Sequence, residues 1–219
     1  MQEPSLTDLE SCLAWVILQD AEDWLGAPSP RALETVLLGA SARAQLVQPD
    51  LHRWKIFGPL NDREFYRPIV ARTGHPTLSI RWASALEFLY FSMAEAMAEL
   101  RRLIRGWVEA HGLREEKRVG SPFREHRISG PDTDEYWRRM AKRPGMFLGD
   151  STGEALHHYL IGMTRGGDWL GLAEVPRARQ IVDNIEGRSQ AAYGSPFAGY
   201  RVYGEEGVQE LLSWAGIEA

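Results

Sequence analysis

Residues 77–83 read TLSIRWA, and this stretch decides the fold class that the sequence predicts. Leu78, Ile80 and Trp82 stand at every second position, and polar or small residues lie between them. Side chains alternate between the two faces of a β-strand, so this spacing indicates a strand with one buried face.

Two neighbouring segments extend that strand to a small antiparallel sheet. Residues 66–72 predict a second strand, and Pro68 would place it at a sheet edge because proline has no backbone N–H to donate. Gly74 and Pro76 supply a turn between the two strands. Residues 86–91 continue the strand or begin another.

Helices flank the expected sheet in the sequence. Apolar residues recur at helical spacing in residues 7–25, from Pro30 onward, and in residues 92–112. Ser92 opens the last of these helices with a capping-box pattern. The sequence therefore predicts an α+β domain over residues 1–112, helix-rich and with a small antiparallel sheet.

A linker and a second domain are expected to follow. Residues 113–133 contain a run of mixed charge and two Gly/Pro turns, which predict a linker. Residues 134–219 predict a smaller, mostly helical domain that carries the segment RPGMFLG at 143–149. The sequence GSPF at 120–123 recurs at 194–197, either as a duplicated strand–helix element or as chance similarity between Gly/Pro loops.

The composition is that of an ordinary soluble protein. Hydrophobic residues make up 44% and charged residues 25%, and the net charge of −5 does not favour nucleic-acid binding. Cys12 is the only cysteine, so an internal disulfide is impossible. Residues 1–8 lack a signal pattern, and no apolar run reaches the roughly 20 residues of a membrane span. We therefore expect a cytoplasmic protein that needs no membrane and no cofactor.

Residues 142–158 read KRPGMFLGDSTGEALHH and resemble the start of the ATPase domain of DNA gyrase B and its relatives. In that family a similar segment leads into a helix that carries a catalytic glutamate and a magnesium-binding asparagine. Gly162 and Gly166 stand at those positions here, and glycine supplies neither a titratable group nor a ligand oxygen. As one alternative, this resemblance implies a degenerate nucleotide-binding protein that does not hydrolyse ATP.

The RPGMFLG segment also resembles small bacterial proteins with an RPGMYLG segment, which are similar in style to the immunity proteins that neutralise polymorphic toxins. This resemblance implies a non-enzymatic protein that binds another protein, such as a toxin, and occludes it. It is our leading interpretation, because no catalytic set accompanies the acidic composition.

Local chemistry predicts a structural role for the same segment. Its Pro-Gly pair favours a turn, because proline fixes φ and glycine can adopt a positive φ. Its three apolar residues are expected to anchor in a core, and the second glycine to provide the turn before a helix. The predicted structural residues are Arg143, Pro144, Gly145, Met146, Phe147 and Gly149.

Two clusters of acids beside aromatic residues are candidates for binding a basic protein. Aromatic rings serve as interface anchors, and charges steer the encounter. The alternative is that the acids are solvated and the tryptophans lie in cores. The candidate residues are Asp20, Asp23, Trp24, Asp134, Glu135 and Trp137.

Other chemistry has weaker support in the sequence. Asp150, Glu154, His157 and His158 include possible metal ligands, but their spacing matches no known ligand set, so no metal site is predicted. No nucleophile or phosphate-loop motif marks a catalytic residue, and no enzyme is expected. Basic residues between 101 and 143 leave a nucleic-acid-binding regulator as a further alternative, although interleaved glutamates favour a solvated face.

Overall fold

A computed structural model describes residues 11–51, 53–74, 81–111 and 133–218 of the chain. The helices of the first half are α1 (Leu13–Gln19), α2 (Ala21–Leu25), α3 (Pro30–Val47), α4 (Trp54–Phe57), a 3-10 turn (Gly58–Asn61), α5 (Arg63–Ala71), α6 (Trp82–Leu89) and α7 (Met93–His111). Those of the second half are α8 (Thr133–Lys142), α9 (Pro144–Leu148), α10 (Gly153–Ile161), a π-helical turn (Gly162–Gly166), α11 (Gly167–Trp169), α12 (Pro176–Tyr193), a 3-10 turn (Ala198–Tyr200) and α13 (Gly204–Trp214).

The predicted antiparallel sheet is wrong, and with it the α+β fold class. In the part of the chain that the structure describes there is no strand, and the only β pairing is an isolated antiparallel bridge between Thr152 and Tyr203. The segment predicted as an edge strand lies almost entirely in α5. Residues 86–89 lie in α6, and residues 75–80 fall outside the described ranges.

The reason is that the buried positions follow the helical repeat. In α5 the buried residues are Phe65, Ile69 and Val70, which share one helix face. Asp62 begins this helix, since its side chain accepts a hydrogen bond from the backbone N–H of Glu64 at 2.8 Å. The wall of the core is therefore a helix face, and Pro68 costs α5 only one backbone hydrogen bond.

Several helix predictions are confirmed. Ser92 begins α7 by accepting a hydrogen bond from the backbone N–H of Glu95, at 3.2 Å. Ser29 does the same for Ala32 at the start of α3, at 3.1 Å. The second half is helical, as predicted. The linker predicted at 113–133 lies outside the described residues apart from its last position, and so does the first GSPF copy.

The chain divides into two compact units that do not follow the order of the sequence. Unit 1 comprises residues 1–34 and 52–127, and unit 2 comprises residues 35–51 and 128–219. The first turn of α3 thus belongs to unit 1 and the rest of α3 to unit 2. In unit 1 the fully buried side chains of the helices include Leu13, Ile17, Leu33, Ile56, Leu86 and Leu100.

Unit 2 is organised around one buried arginine. Arg43 on α3 is 1% exposed. Its Nη1 donates to the carbonyls of Met163 and Thr164, both at 2.8 Å. Its Nε donates to Ala173 at 2.9 Å, and its Nη2 to Leu172 at 2.5 Å. The guanidinium therefore donates to carbonyls of the π-helical turn and of the loop after α11, and so ties both to α3.

A second close contact in unit 2 joins α3 to α10 and the π-helical turn. Gly39 packs so closely on the backbone of Tyr159 that a Cβ at position 39 would overlap its carbonyl oxygen. Gly162 packs in the same way on the carbonyl of Val36. The two glycines thus let the helix backbones touch at their crossing point.

We predict that Arg43→Met lowers the free energy of unfolding of unit 2 by at least about 3 kcal/mol, because four backbone carbonyls in buried or part-buried contacts each lose a charged hydrogen-bond donor. Denaturant unfolding measures it. The matched control is Arg179→Met, which removes a half-exposed arginine paired with Asp168 and Glu174 and should cost less than about 1 kcal/mol. Similar losses in both variants would contradict the role given to Arg43.

We also predict that Gly39→Ala and Gly162→Ala each destabilise the protein by more than about 2 kcal/mol, because the added methyl group forces the helices apart. Gly106→Ala and Gly187→Ala are the controls. Both glycines lie in exposed helix interiors with nothing within 4 Å of the added Cβ, so alanine should stabilise by about 0.5–1 kcal/mol. Thermal unfolding should show a lower Tm for Gly39→Ala and Gly162→Ala and a higher Tm for the two controls. A change of Tm with the same sign in all four variants would refute the close crossing.

Candidate protein-binding surface

One depression in unit 1 is an acidic cleft between α2 and α7, with a volume of about 440 Å³. Asp20, Glu22 and Asp23 line one wall, and all three are exposed. Ala94 and Met97 line the opposite wall on α7. The cleft thus combines three carboxylates on one wall with apolar side chains on the other.

Arg101 fixes the geometry of this cleft. Its Nε donates a hydrogen bond to the carbonyl of Leu18 at 2.7 Å, so α7 is tied to the last turn of α1. That carbonyl belongs to the end of a helix, where oxygen atoms lack an intrahelical donor. Asp20 follows directly and joins α1 to α2. The acids are therefore held on short helices by a specific bond.

Three exposed apolar residues adjoin the cleft in the sequence, at the turn between α6 and α7. Phe88 is 70% exposed, Phe91 is fully exposed, and Met93 is 40% exposed. Met93 begins α7 directly before Ala94 of the cleft wall. A cluster of large apolar side chains in water is a typical mark of a protein interface. We call Asp20, Glu22, Asp23, Phe88, Phe91 and Met93 the acidic–apolar surface.

The apolar part of this surface was not predicted, because residues 86–91 were expected to continue a strand or to begin another. As a helix, residues 82–89 show the signal directly. Trp82, Ala85 and Leu86 lie on the buried face, and Phe88 lies on the opposite face. A phenylalanine on the solvent face of an amphipathic helix would have identified the site.

The first cluster of predicted binding residues is split between surface and core. Asp20 and Asp23 are exposed, whereas Trp24 is 6% exposed and lies in the core. The acids are therefore accessible to a partner, whereas the buried indole ring of Trp24 is not accessible in this structure. Partner binding by Asp20 and Asp23 stays a prediction.

The second cluster shows the same division on α8. Asp134 is exposed and Glu135 is half-buried, while Trp137 is fully buried. Glu135 is engaged by Arg139 at 2.8 Å and Arg138 at 3.2 Å, so its charge is compensated within the helix. This cluster gives weaker support for a binding surface than the first, and its role likewise stays a prediction.

The RPGMFLG segment forms a short helix, α9, and not only a turn. Pro144 occupies its first position, where the missing N–H costs nothing. The positive φ falls on Gly149 (78°) and not on Gly145. Met146 is 63% exposed, so it does not anchor in a core, and Leu148 is the buried anchor.

The remaining members of that segment lie at its edges. Arg143 precedes α9 and is exposed. Phe147 is half-buried and contacts Tyr136 edge-to-face with ring centroids 5.4 Å apart. Thr152 caps the following helix by accepting a hydrogen bond from the backbone N–H of Ala155.

The described part of the chain offers no cluster of three or more metal-ligating side chains. His157 packs against the rings of Tyr200 and Phe197, with centroids 4.6 Å and 5.5 Å away. Burial, together with the neighbouring His158, lowers the pKa of His157 to about 4. Burial also raises the pKa of the Cys12 thiol to about 11, so it stays protonated and is a poor nucleophile.

The described arginines of the basic region are largely engaged within the protein. Arg101 bonds to a backbone carbonyl, Arg102 pairs with Glu99 at 2.6 Å, and Arg105 stacks over the ring of Trp15 at 5.3 Å. Such pairing leaves little of the unsatisfied positive charge that phosphate binding uses.

Comparison of the chain with protein-family models, with curated proteins and with solved structures gave no significant match. The resemblances of the RPGMFLG segment are therefore untested by any relative. At the position of the gyrase-type glutamate, Gly162 leaves no room for a Cβ, so a glutamate could not occupy it in this packing. Among the helices of the described residues, none combines the length and the apolar character needed to cross a membrane.

We predict that stability falls as the pH is lowered from 6.5 to about 4, because the unfolded chain then protonates His157 while the folded protein does not. The loss is at most about 1.4 kcal/mol for each pH unit, and less where water reaches the ring. Urea unfolding of His157→Gln and wild type at pH 7.5, 6.0 and 4.5 isolates this contribution, since other groups titrate alike in both. Equal pH dependence in the two proteins would show that His157 does not carry it.

Proposed function

We propose that this chain is a non-enzymatic protein-binding protein of the immunity or antitoxin type, which acts in the cytoplasm and neutralises a basic partner protein by covering its surface. The observation that carries the proposal is the acidic–apolar surface of unit 1. There, three exposed carboxylates line a cleft together with Ala94 of α7, and the exposed residues Phe88, Phe91 and Met93 precede Ala94 closely in the chain.

The two parts of the surface support different aspects of binding. Burying a fully exposed phenylalanine such as Phe91 in a partner contributes about 1.5–3 kcal/mol, which suits an interface anchor. Three carboxylates in one wall raise the rate of encounter with a positively charged protein and disfavour acidic competitors. Charged side chains alone would keep the protein in solution, so solubility does not explain the exposed aromatic rings.

Occlusion fits the chemistry of the described residues better than catalysis. The thiol of Cys12 is buried and protonated, and His157 is shielded by Tyr200 and Phe197. The residues that define the acidic–apolar surface are carboxylates and apolar side chains, and they include no thiol, hydroxyl or imidazole group to form a catalytic set. Its chemistry supports recognition, with inhibition following when the covered part of the partner is its active surface.

The test is capture of the partner from the native lysate by wild type and by two charge-reversed variants. Asp20→Lys/Glu22→Lys/Asp23→Lys changes the proposed surface. Glu205→Lys/Glu206→Lys/Glu210→Lys, on the exposed face of α13 in unit 2, makes the same change of net charge elsewhere. We expect the first variant to lose at least about tenfold in affinity for a basic partner and the second to retain it.

A second pair of variants separates the anchor from the charges. Phe91→Ser should weaken binding about 30-fold through a faster dissociation rate, whereas Tyr203→Ser, which changes an 82% exposed ring of unit 2, should leave it unchanged. The captured partner must also arrest growth when it is expressed alone and spare growth when this chain is present. A partner that is harmless alone, or one held equally by all four variants, contradicts the proposal.

A further inference from the structure

Two segments of this chain, 123 positions apart, have the same succession of helix ends. α2 and α9 each contain five residues, and each ends at a glycine with positive φ, Gly26 (67°) or Gly149 (78°). Three residues after each glycine stands a hydroxyl cap. Ser29 accepts a hydrogen bond from Ala32 at 3.1 Å, and Thr152 accepts one from Ala155 at 3.1 Å.

Burial repeats with the same offset. Residues 28–40 and 151–163 have the same sequence of buried, half-buried and exposed positions, without an exception. On α1 and α8 four equivalent pairs are buried and apolar in both segments, whereas the buried Trp15 corresponds to the exposed Arg138. The identical pairs are Leu25 and Leu148, Gly26 and Gly149, Ala32 and Ala155, Leu33 and Leu156, Leu37 and Leu160, and Gly39 and Gly162.

The glycine crossing inside unit 2 is reciprocal. Gly39 lies against the backbone of Tyr159 and Met163, and Gly162 lies against the backbone of Val36 and Ala40. Val36 and Tyr159 occupy equivalent positions of the two segments, and so do Ala40 and Met163. Each helix therefore presents the same face to the other, which is the geometry of a two-fold contact.

We infer that residues 12–43 and 135–166 are two copies of one three-helix element, and that the glycine-centred face of its third helix is a self-pairing surface. The partner that this face fits is the second copy of the same element. An isologous contact requires self-complementarity, and a glycine at the crossing point supplies it because each backbone fills the space that the other leaves. A chance helix crossing requires neither equal caps nor equal burial.

The copies differ where they face solvent. Asp20, which precedes α2, and Asp23 within it correspond to Arg143, which precedes α9, and Met146 within it, and all four are exposed. The packing face is thus retained while the outward face has changed. The inferred duplication does not depend on the proposed function, because it is argued from the helix ends, the burial and the crossing alone.

The test exchanges equivalent side chains at the crossing. Ala40 and Met163 are both fully buried, and each follows a crossing glycine. Ala40→Met alone overpacks the contact, and Met163→Ala alone leaves a cavity, so each lowers the denaturant midpoint. Two-fold equivalence predicts that the double variant has a midpoint nearer to wild type than either single variant.

The matched control joins Met163→Ala with Ala141→Met, which enlarges a buried alanine of α8 away from the crossing. Its two effects should add without compensation. If the exchanged double variant does not fold, Ala40→Val with Met163→Val makes the copies identical at this position. It should then unfold at a higher denaturant concentration than Met163→Val alone. Additive or worse losses in both designed pairs would overturn the inference.

Discussion

The structure of unit 2 depends on the guanidinium of Arg43. A buried charge is tolerated only when its donors are satisfied, and here the carbonyls of the π-helical turn and the following loop accept them. Asp168 adds a carboxylate at 2.9 Å. These carbonyls lie beyond the end of α10, so Arg43 holds α3 against this part of the chain together with the close crossing at Gly39 and Gly162.

The capped starts of several helices could be predicted from the sequence, whereas the secondary structure in the middle of unit 1 could not. Hydroxyl caps such as Ser92 act within one turn, so the pattern of a few residues predicts them. The strand predicted from the alternation at 77–83 is contradicted in its described residues 81–83, because Trp82 opens a helix in which Ala83 and Leu86 are buried as well. Trp82 fits both the two-residue repeat of a strand before it and the helical repeat of Ala83, Ala85 and Leu86 after it. The tertiary contacts decide between strand and helix.

Membership of the two units was equally hidden from the sequence. Residues 35–51 join residues 128–219, although α3 is one uninterrupted helix. The residues that attach this part of α3 to unit 2 are Arg43 and Gly39. From the sequence alone, Arg43 is expected to be a surface charge and Gly39 to be a residue that weakens the helix. Of the candidate site, the acids Asp20 and Asp23 could be found from charge alone. The exposed Phe91 could not, because exposure is a property of the fold.

Hydrogen–deuterium exchange of the chain with and without its captured partner locates the binding site directly. We expect slower exchange in residues 19–23 and 88–97, which form the cleft walls and the apolar turn, with little change in α13. Protection confined to unit 2, with residues 19–23 and 88–97 unchanged, would contradict the assignment of the acidic–apolar surface as the binding site.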